Sequence, residues 1–230
     1  ALVMLGVELI CICLALAVGT LLKFDRSKKG ALILVSAFGM TTLLGYPIIR
    51  QVFPDDPQAM TEAVVTSEFG VGFLLFLAGP VIAMFYGDDS VNREKVFASV
   101  KRFLGSPLMI ALVSGILVSF LPFDQNGTLV KPMLHLFQLV GNANFLLVAF
   151  TVGLIIEFRK MERGVLLFLI LVIILKLLVK PLLAYTFTTG ELFSVMMRQI
   201  VLIETAMPSA ILTVVFAKQY NCRPDLVSTA

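Results

Sequence analysis

The sequence predicts an all-α integral membrane protein with seven transmembrane helices, on three observations: an apolar composition, seven apolar runs of spanning length, and a strict alternation of basic loops. Of the 230 residues, 59% are hydrophobic and only 14% charged, a balance outside the range of a water-soluble domain. A hydrocarbon core of ~30 Å takes about 20 apolar residues to cross as a helix. Runs of that kind cover 1–22, 31–53, 62–86, 104–121, 133–157, 165–188 and 199–217. The longest connection, about 88–103, is too short for a folded extramembrane domain, so function must reside within and between the helices.

Orientation follows from the loops one by one, because basic loops stay on the cytoplasmic side. Lys23, Arg26, Lys28 and Lys29 fill the first loop; Arg93, Lys95, Lys101 and Arg102 the third; Arg159, Lys160 and Arg163 the fifth. The second loop carries Asp55, Asp56 and Glu62 without a base, the fourth only Lys131, and the sixth Glu191. Loops 23–30, 87–103 and 158–164 are therefore expected in the cytoplasm and residue 1 outside, in a bacterial inner membrane or a eukaryotic plasma or endoplasmic-reticulum membrane.

Signals of soluble catalysis are absent. The chain has no phosphate-binding glycine loop, no HExxH and no CxxC, and its single His135 cannot build a metal site alone. No catalytic residue, metal ligand or nucleic-acid contact is expected. Glu8, Glu68, Glu157 and Glu204 are scattered over four spans without a shared motif, and Cys11, Cys13 and Cys222 read as packed thiols.

Two spans break the rules of a plain membrane helix. Proline removes a backbone donor and glycine loosens the helix, so a Gly/Pro cluster inside a span marks unwound backbone, tolerated only where it is buried in protein or lines a cavity. The second span carries Phe38-Gly39-Met40-Thr41-Thr42-Leu43-Leu44-Gly45-Tyr46-Pro47 and the seventh Glu204-Thr205-Ala206-Met207-Pro208-Ser209-Ala210. Pro208 stands ten residues from both Arg198 and Lys218, which places it ~15 Å from either boundary, at the midplane. The loop alternation makes the two interrupted spans antiparallel, as an inverted repeat requires, and such a pair points to a transporter's binding site. Pro47 and Pro208 are expected to approach one another where the helices cross. Gly79-Pro80 in the third span has no counterpart and reads as a kink or a close-packing site.

The stretch from Ile203 to Ala230, IETAMPSAILTVVFAKQYNCRPDLVSTA, closely resembles the ninth-helix signature of the auxin efflux carrier family, centred on Ala206-Met207-Pro208 with Ala217, Tyr220, Asp225 and Ser228-Thr229 at matching places. Phe38 to Pro47 resembles the family's fourth-helix pattern F-G-N-T-G-F-L-G-x-P, and Lys176 to Pro181, KLLVKP, the end of its eighth helix. The resemblance implies a ten-helix protein of two inverted five-helix repeats with crossed broken helices, related in fold to bile acid and sodium/proton carriers. The seven spans would be the third to ninth helices: 1–86 part of the first repeat, 87–103 the cytoplasmic connection and 104–230 the second repeat, with further helices beyond Ala1 and Ala230. It further implies secondary active efflux of a small organic anion, such as malate, malonate or an auxin-like acid, with no cofactor and with coupling to a proton or sodium gradient. The expected partners are the lipid bilayer, that anion and a second copy of the chain. Met40 stands where the family has a polar Asn, a departure that removes one side-chain contact from the site.

The interrupted helices and the resemblance together nominate Thr41, Thr42, Gly45, Pro47, Thr205, Met207, Pro208 and Ser209 as substrate-binding residues at the crossover. Charged and polar candidates add to these. Lys176 lies twelve residues from Gly164, ~18 Å into the membrane, and a charge there costs at least ~2.5 kcal/mol unless compensated. Lys180 is one turn further on, at a depth that would allow a pair with Glu204, the alternative for either lysine being to snorkel to the interface. Asn142 shares a helix face with Gln138 at i and i+4 and is open to two roles, as polar glue between helices or as lining of the substrate path. Two rival readings are a seven-helix receptor, which would not need paired antiparallel breaks, and a gated channel of the same fold, which saturable gradient-coupled flux would exclude.

Overall fold

Side-chain caps and prolines punctuate an otherwise uniformly apolar chain. The computed structural model describes residues 1–54, 56–87, 130–155 and 163–230, with isolated positions between 94 and 120. α1 spans Leu2–Leu21. The carboxylate of Asp25 accepts the Lys28 amide at 3.3 Å and starts α2, Arg26–Ala37. A π-helical segment, π1 (Thr41–Gly45), leads into α3, Tyr46–Val52. Asp56, accepting from the Gln58 amide at 2.9 Å with Pro57 behind it, starts α4, Pro57–Thr66; both are the N-terminal signals expected of a helix. α4 runs on through π2 (Ser67–Gly72) into α5, Phe73–Gly87.

Beyond α6 (Val130–Ile155) come α7 (Arg163–Ile173), π3 (Ile174–Val179) and α8 (Lys180–Thr188). Ser194 caps α9, Val195–Thr205, and α10 (Ile211–Gln219) and a short α11 (Pro224–Val227) complete the chain. The residues group into two compact units: Ala1–Asn92 with Arg159–Ala230, and Arg93–Phe158, which holds α6.

Among the described residues, three continuous helical stretches are long and apolar enough to cross a membrane: Leu2–Leu21, Pro57–Gly87 and Gly164–Thr188. They correspond to the runs at 1–22, 62–86 and 165–188. α6 matches the run at 133–157, and its 26 residues would extend ~39 Å. The runs at 31–53 and 199–217 are each helical on both sides of a break rather than continuous. The run at 104–121 and the connection at 88–103 fall largely outside the described residues.

Two of the π segments have a visible cause. Pro47 and Pro181 sit in the first turns of α3 and α8, immediately after π1 and π3. Each lacks the amide that would serve the carbonyl four residues back, and its ring crowds that carbonyl. The backbone responds by widening: the Tyr46 amide bonds to Thr41 O and the Lys180 amide to Leu175 O, both five residues back. Pro80 is instead absorbed within α5, where Gly79 packs on Phe216; a Cβ on Gly79 would lie 2.9 Å from the Phe216 ring. Of the two readings of Gly79-Pro80, close packing describes it.

α2 is the centre of the first unit. Every residue from Gly30 to Ala37 is buried, so the helix has no polar face to show, and α1, α5 and α7 pack around it. Approach is closest at Gly30, where a Cβ would lie 2.3 Å from Tyr86 Cβ and 2.6 Å from Cys222 Sγ. Overpacking of this kind costs roughly 1–3 kcal/mol. Gly30→Ala is expected to lower the thermal midpoint of the purified protein in detergent, and an unchanged midpoint would show that Tyr86 and Cys222 yield freely. Cys11 and Cys222 are buried thiols, as expected of packed cysteines, whereas Cys13 is exposed.

Candidate functional site

The two interrupted helices meet through their breaks. α2 ends at Ala37, where Phe38 turns extended, and α9 ends at Thr205. Gly39 and Ser209 form an antiparallel bridge. The Met40 amide donates to Pro208 O at 2.8 Å, and the Ala210 amide donates to Phe38 O at 3.0 Å. Unpaired backbone is costly inside a bilayer, and here each break supplies the other's partners. Gly39 permits the contact, since a Cβ there would lie only 3.4 Å from Lys176 Nζ and 3.6 Å from Glu204 O.

The end of α2 is satisfied carbonyl by carbonyl, which the last turn of any helix requires. Leu34 O accepts from the Phe38 amide at 3.4 Å and Val35 O from Ser209 Oγ at 2.9 Å. Ser36 O accepts the weak thiol donor of Cys11 at 3.7 Å. Ala37 O accepts from two lysine amines, Lys176 Nζ at 3.0 Å and Lys180 Nζ at 2.5 Å. Cations at a helix C-terminus also complement its dipole. Lys180 Nζ further donates to Glu8 Oε1 at 2.5 Å, and both side chains are fully buried.

A second polar cluster joins π1 to π2. Thr41 Oγ1 and Ser67 Oγ share a hydrogen bond of 2.5 Å. Glu68 Oε1 accepts from Tyr46 OH at 2.8 Å and from Thr42 Oγ1 at 3.1 Å.

These contacts revise several expectations. Lys180 pairs with Glu8 on α1, not with Glu204; the direction each side chain takes around its helix was not legible in the sequence. Neither lysine snorkels, for Lys176 is 2% and Lys180 0% exposed. Within the run Phe38–Pro47 the break lies at its start, Phe38–Met40: Gly45 belongs to π1, and Pro47 to the first turn of α3, where the preceding π segment accommodates it. The backbones pair across the break at Gly39 and Ser209.

Of the other nominated residues, Thr41, Gly45, Thr205 and Met207 are buried, Ser209 and Pro47 half-buried, and Thr42 and Pro208 exposed. A Cβ on Gly45 would lie 3.7 Å from Met207 Cγ and 3.9 Å from Glu204 Cγ, so π1 leans directly on the second break. Thr205 Oγ1 bonds back to Val201 O at 2.9 Å, which commits its hydroxyl to α9 itself. The side chain of Asn142 falls outside the described residues. Glu8 and Glu68, which the sequence presented only as scattered acids, both hold positions in these clusters; a charge inside an apolar span was the signal that marked them.

Broken antiparallel helices, backbone joined across the break and buried lysines beneath it make up the part of the chain that carries the most specific sequence signature. The family model described as membrane transport protein matches residues 90–230, more than half of the chain and including the second break. The chain belongs to this membrane transport protein family, that of the auxin efflux carriers. An uncharacterized transporter, MJ1031, of Methanocaldococcus jannaschii is 28% identical over 211 residues, which are 90% of this chain and 64% of that protein. The chain thus spans under two thirds of the length of this curated relative. Membership of the membrane transport protein family, with the apolar helices above, identifies an integral membrane protein.

Proposed function

We propose that the protein carrying this sequence is a secondary active transporter of a small organic anion, a carboxylate such as malate, malonate or an auxin-like acid. The observation that carries the reading is the crossover: the positive ends of two helical segments, π1 at Thr41 and α10 at Ile211, begin on either side of the Gly39–Ser209 bridge. Helix N-termini of this kind attract anions, and the Lys176 amine lies next to Gly39. Thr42, Pro208 and the half-buried Ser209 leave this face open to a solute. The opposed directions of the two breaks support the inverted-repeat architecture, with 1–86 and 104–230 as parts of the two repeats.

Uptake of radiolabelled malate, malonate and indole acetate into proteoliposomes, with and without a proton gradient, tests the proposal. Saturable flux of at least one of them, stimulated by the gradient, is the expected result. Flux that never saturates would indicate a channel, and no flux of any organic acid would remove the anion.

A further inference from the structure

Far from the crossover, four chain segments meet at one end of the first unit: the end of α1 at Leu21, the start of α2 at Arg26, the end of α5 at Gly87 and the turn after α10. The Arg26 guanidinium donates to Phe85 O at 2.5 Å and lies 5.0 Å over the Phe85 ring. Cys222 Sγ donates to Ser27 O at 3.4 Å. Gly87 closes on the turn so tightly that a Cβ there would lie 2.1 Å from Tyr220 O. The charge at this end is one-sided: Lys23, Arg26, Lys28, Lys29, Lys218 and Arg223 stand against Asp25 and Asp225. Both acids are engaged, Asp25 with the Lys28 amide and Asp225 with Arg223 Nη2 at 2.8 Å. An acid in the first turn of α2 would be the ordinary neutralisation, and that turn holds none. Among the described residues, Lys23, Lys28 and Lys29 therefore have no carboxylate to themselves.

These three lysines are placed by the turn between α1 and α2. Lys28 Nζ lies 4.3 Å over the Phe24 ring. The stem of Lys29 runs along the last turn of α1, where a Cβ on Gly19 would lie 3.1 Å from Lys29 Cγ. Lys23 adopts a left-handed backbone, φ 53°, as the turn closes with the Lys23 amide on Thr20 O at 3.1 Å and the Phe24 amide on Gly19 O at 2.9 Å. Glycine is the residue that normally ends a helix in this conformation, and a side chain there costs stability. A lysine held at such a cost is grounds for assigning its charge a use. Apolar surface borders the group directly, for Leu21 is 81% and Leu22 44% exposed.

We propose that Lys23, Lys28 and Lys29 form a docking surface for the phosphate headgroup of an anionic phospholipid, with Leu21 and Leu22 against its acyl chains. Charge complementarity selects this occupant, since basic clusters next to a membrane span attract anionic lipid. The exposed leucines select a lipid over a soluble anion, because they continue the apolar surface of α1 up to the lysines. In the orientation expected from the loops, the lipid belongs to the cytoplasmic leaflet. It would fasten the α1–α2 turn, and with it the start of the helix whose other end, at Ala37, forms the crossover. The proposal does not rest on the transporter reading.

The test is thermal unfolding of the purified full-length protein in detergent with increasing mole fractions of dioleoyl phosphatidylglycerol or, separately, dioleoyl phosphatidylcholine. The expected result is a midpoint that rises and saturates with phosphatidylglycerol alone, at a half-saturating fraction that increases in high salt. The triple variant Lys23→Gln/Lys28→Gln/Lys29→Gln should need at least tenfold more phosphatidylglycerol, the triple Lys→Arg variant should respond as wild type, and Lys131→Gln on α6 should leave the response unchanged. Lys23→Gly keeps the proposal testable if the triple Gln variant fails to fold. It relieves the left-handed position, so its midpoint in phosphatidylcholine should be higher than that of wild type while its response to phosphatidylglycerol weakens. Equal responses to the two lipids would overturn the docking surface, as would undiminished responses to phosphatidylglycerol in the triple Gln and Lys23→Gly variants. A rise reproduced by inorganic phosphate without lipid would also overturn it, by assigning the lysines to a soluble anion. Because no flux is measured, each of these failures leaves the transporter reading standing.

Discussion

Glu8→Gln is expected to lower stability by about 3–5 kcal/mol, because it leaves the ammonium of Lys180 buried without its counter-ion. Lys180 donates to Glu8 Oε1 and to Ala37 O, and both members of the ion pair are 0% exposed. A buried pair gains little over well-packed apolar groups, whereas breaking one is expensive. The double variant Glu8→Gln/Lys180→Met should therefore regain most of what the single variant loses. Lys176 would still hold Ala37 O in that background. Unfolding followed by helix signal and by a tertiary probe in lipid-matched detergent would measure all four corners of the cycle. If Glu8→Gln and the double variant were equally unstable, the loss would come from packing around position 8 and not from the uncompensated charge.

The elements that were legible in the sequence are those fixed by composition and by backbone chemistry. Apolar length located the uninterrupted spans Leu2–Leu21, Pro57–Gly87 and Gly164–Thr188, since a bilayer imposes that length on any helix that crosses it. Ala206-Met207-Pro208 located the second break, because proline inside a helix cannot be served by the usual amide. In the run Phe38–Pro47 the missing amide of Pro47 falls at the start of α3 and is absorbed by π1, while the break forms at Gly39. There the deciding factor is not a lost hydrogen bond but the room for another backbone to approach.

Side-chain partners were less legible, for a physical reason. An amphipathic helix advertises its buried face, but α1 and α2 are apolar around most of their circumference, so spacing alone does not say which way Glu8 or Lys180 points. Charge inside a span was the better guide: Glu8, Glu68, Lys176, Lys180 and Glu204 all lie within or beside the polar clusters.

Lys176→Met should separate transport from folding. The substitution keeps the length and apolar stem of the side chain and removes only its charge. Ala37 O, the acceptor that Lys176 would abandon, keeps its bond from Lys180, so no carbonyl at the end of α2 is orphaned. Stability should thus change little. Lys176 Nζ lies 3.4 Å from the position of a Cβ on Gly39, within the break itself, so a carboxylate at the crossover would meet this amine and favour its protonated form. A hydrogen bond to a charged group contributes ~1.5–3 kcal/mol, which corresponds to a fall of roughly 10- to 100-fold in the apparent kcat/KM for an anionic solute. Lys176→Arg should retain part of the activity, since it keeps the charge on a head group of different shape. A lysine that only ties the crossover together predicts another pattern: the Met variant would unfold more easily and transport normally per folded molecule. Flux at matched protein levels in liposomes, measured beside thermal midpoints, distinguishes the two, and wild-type turnover and affinity in Lys176→Met would take the residue out of the binding site.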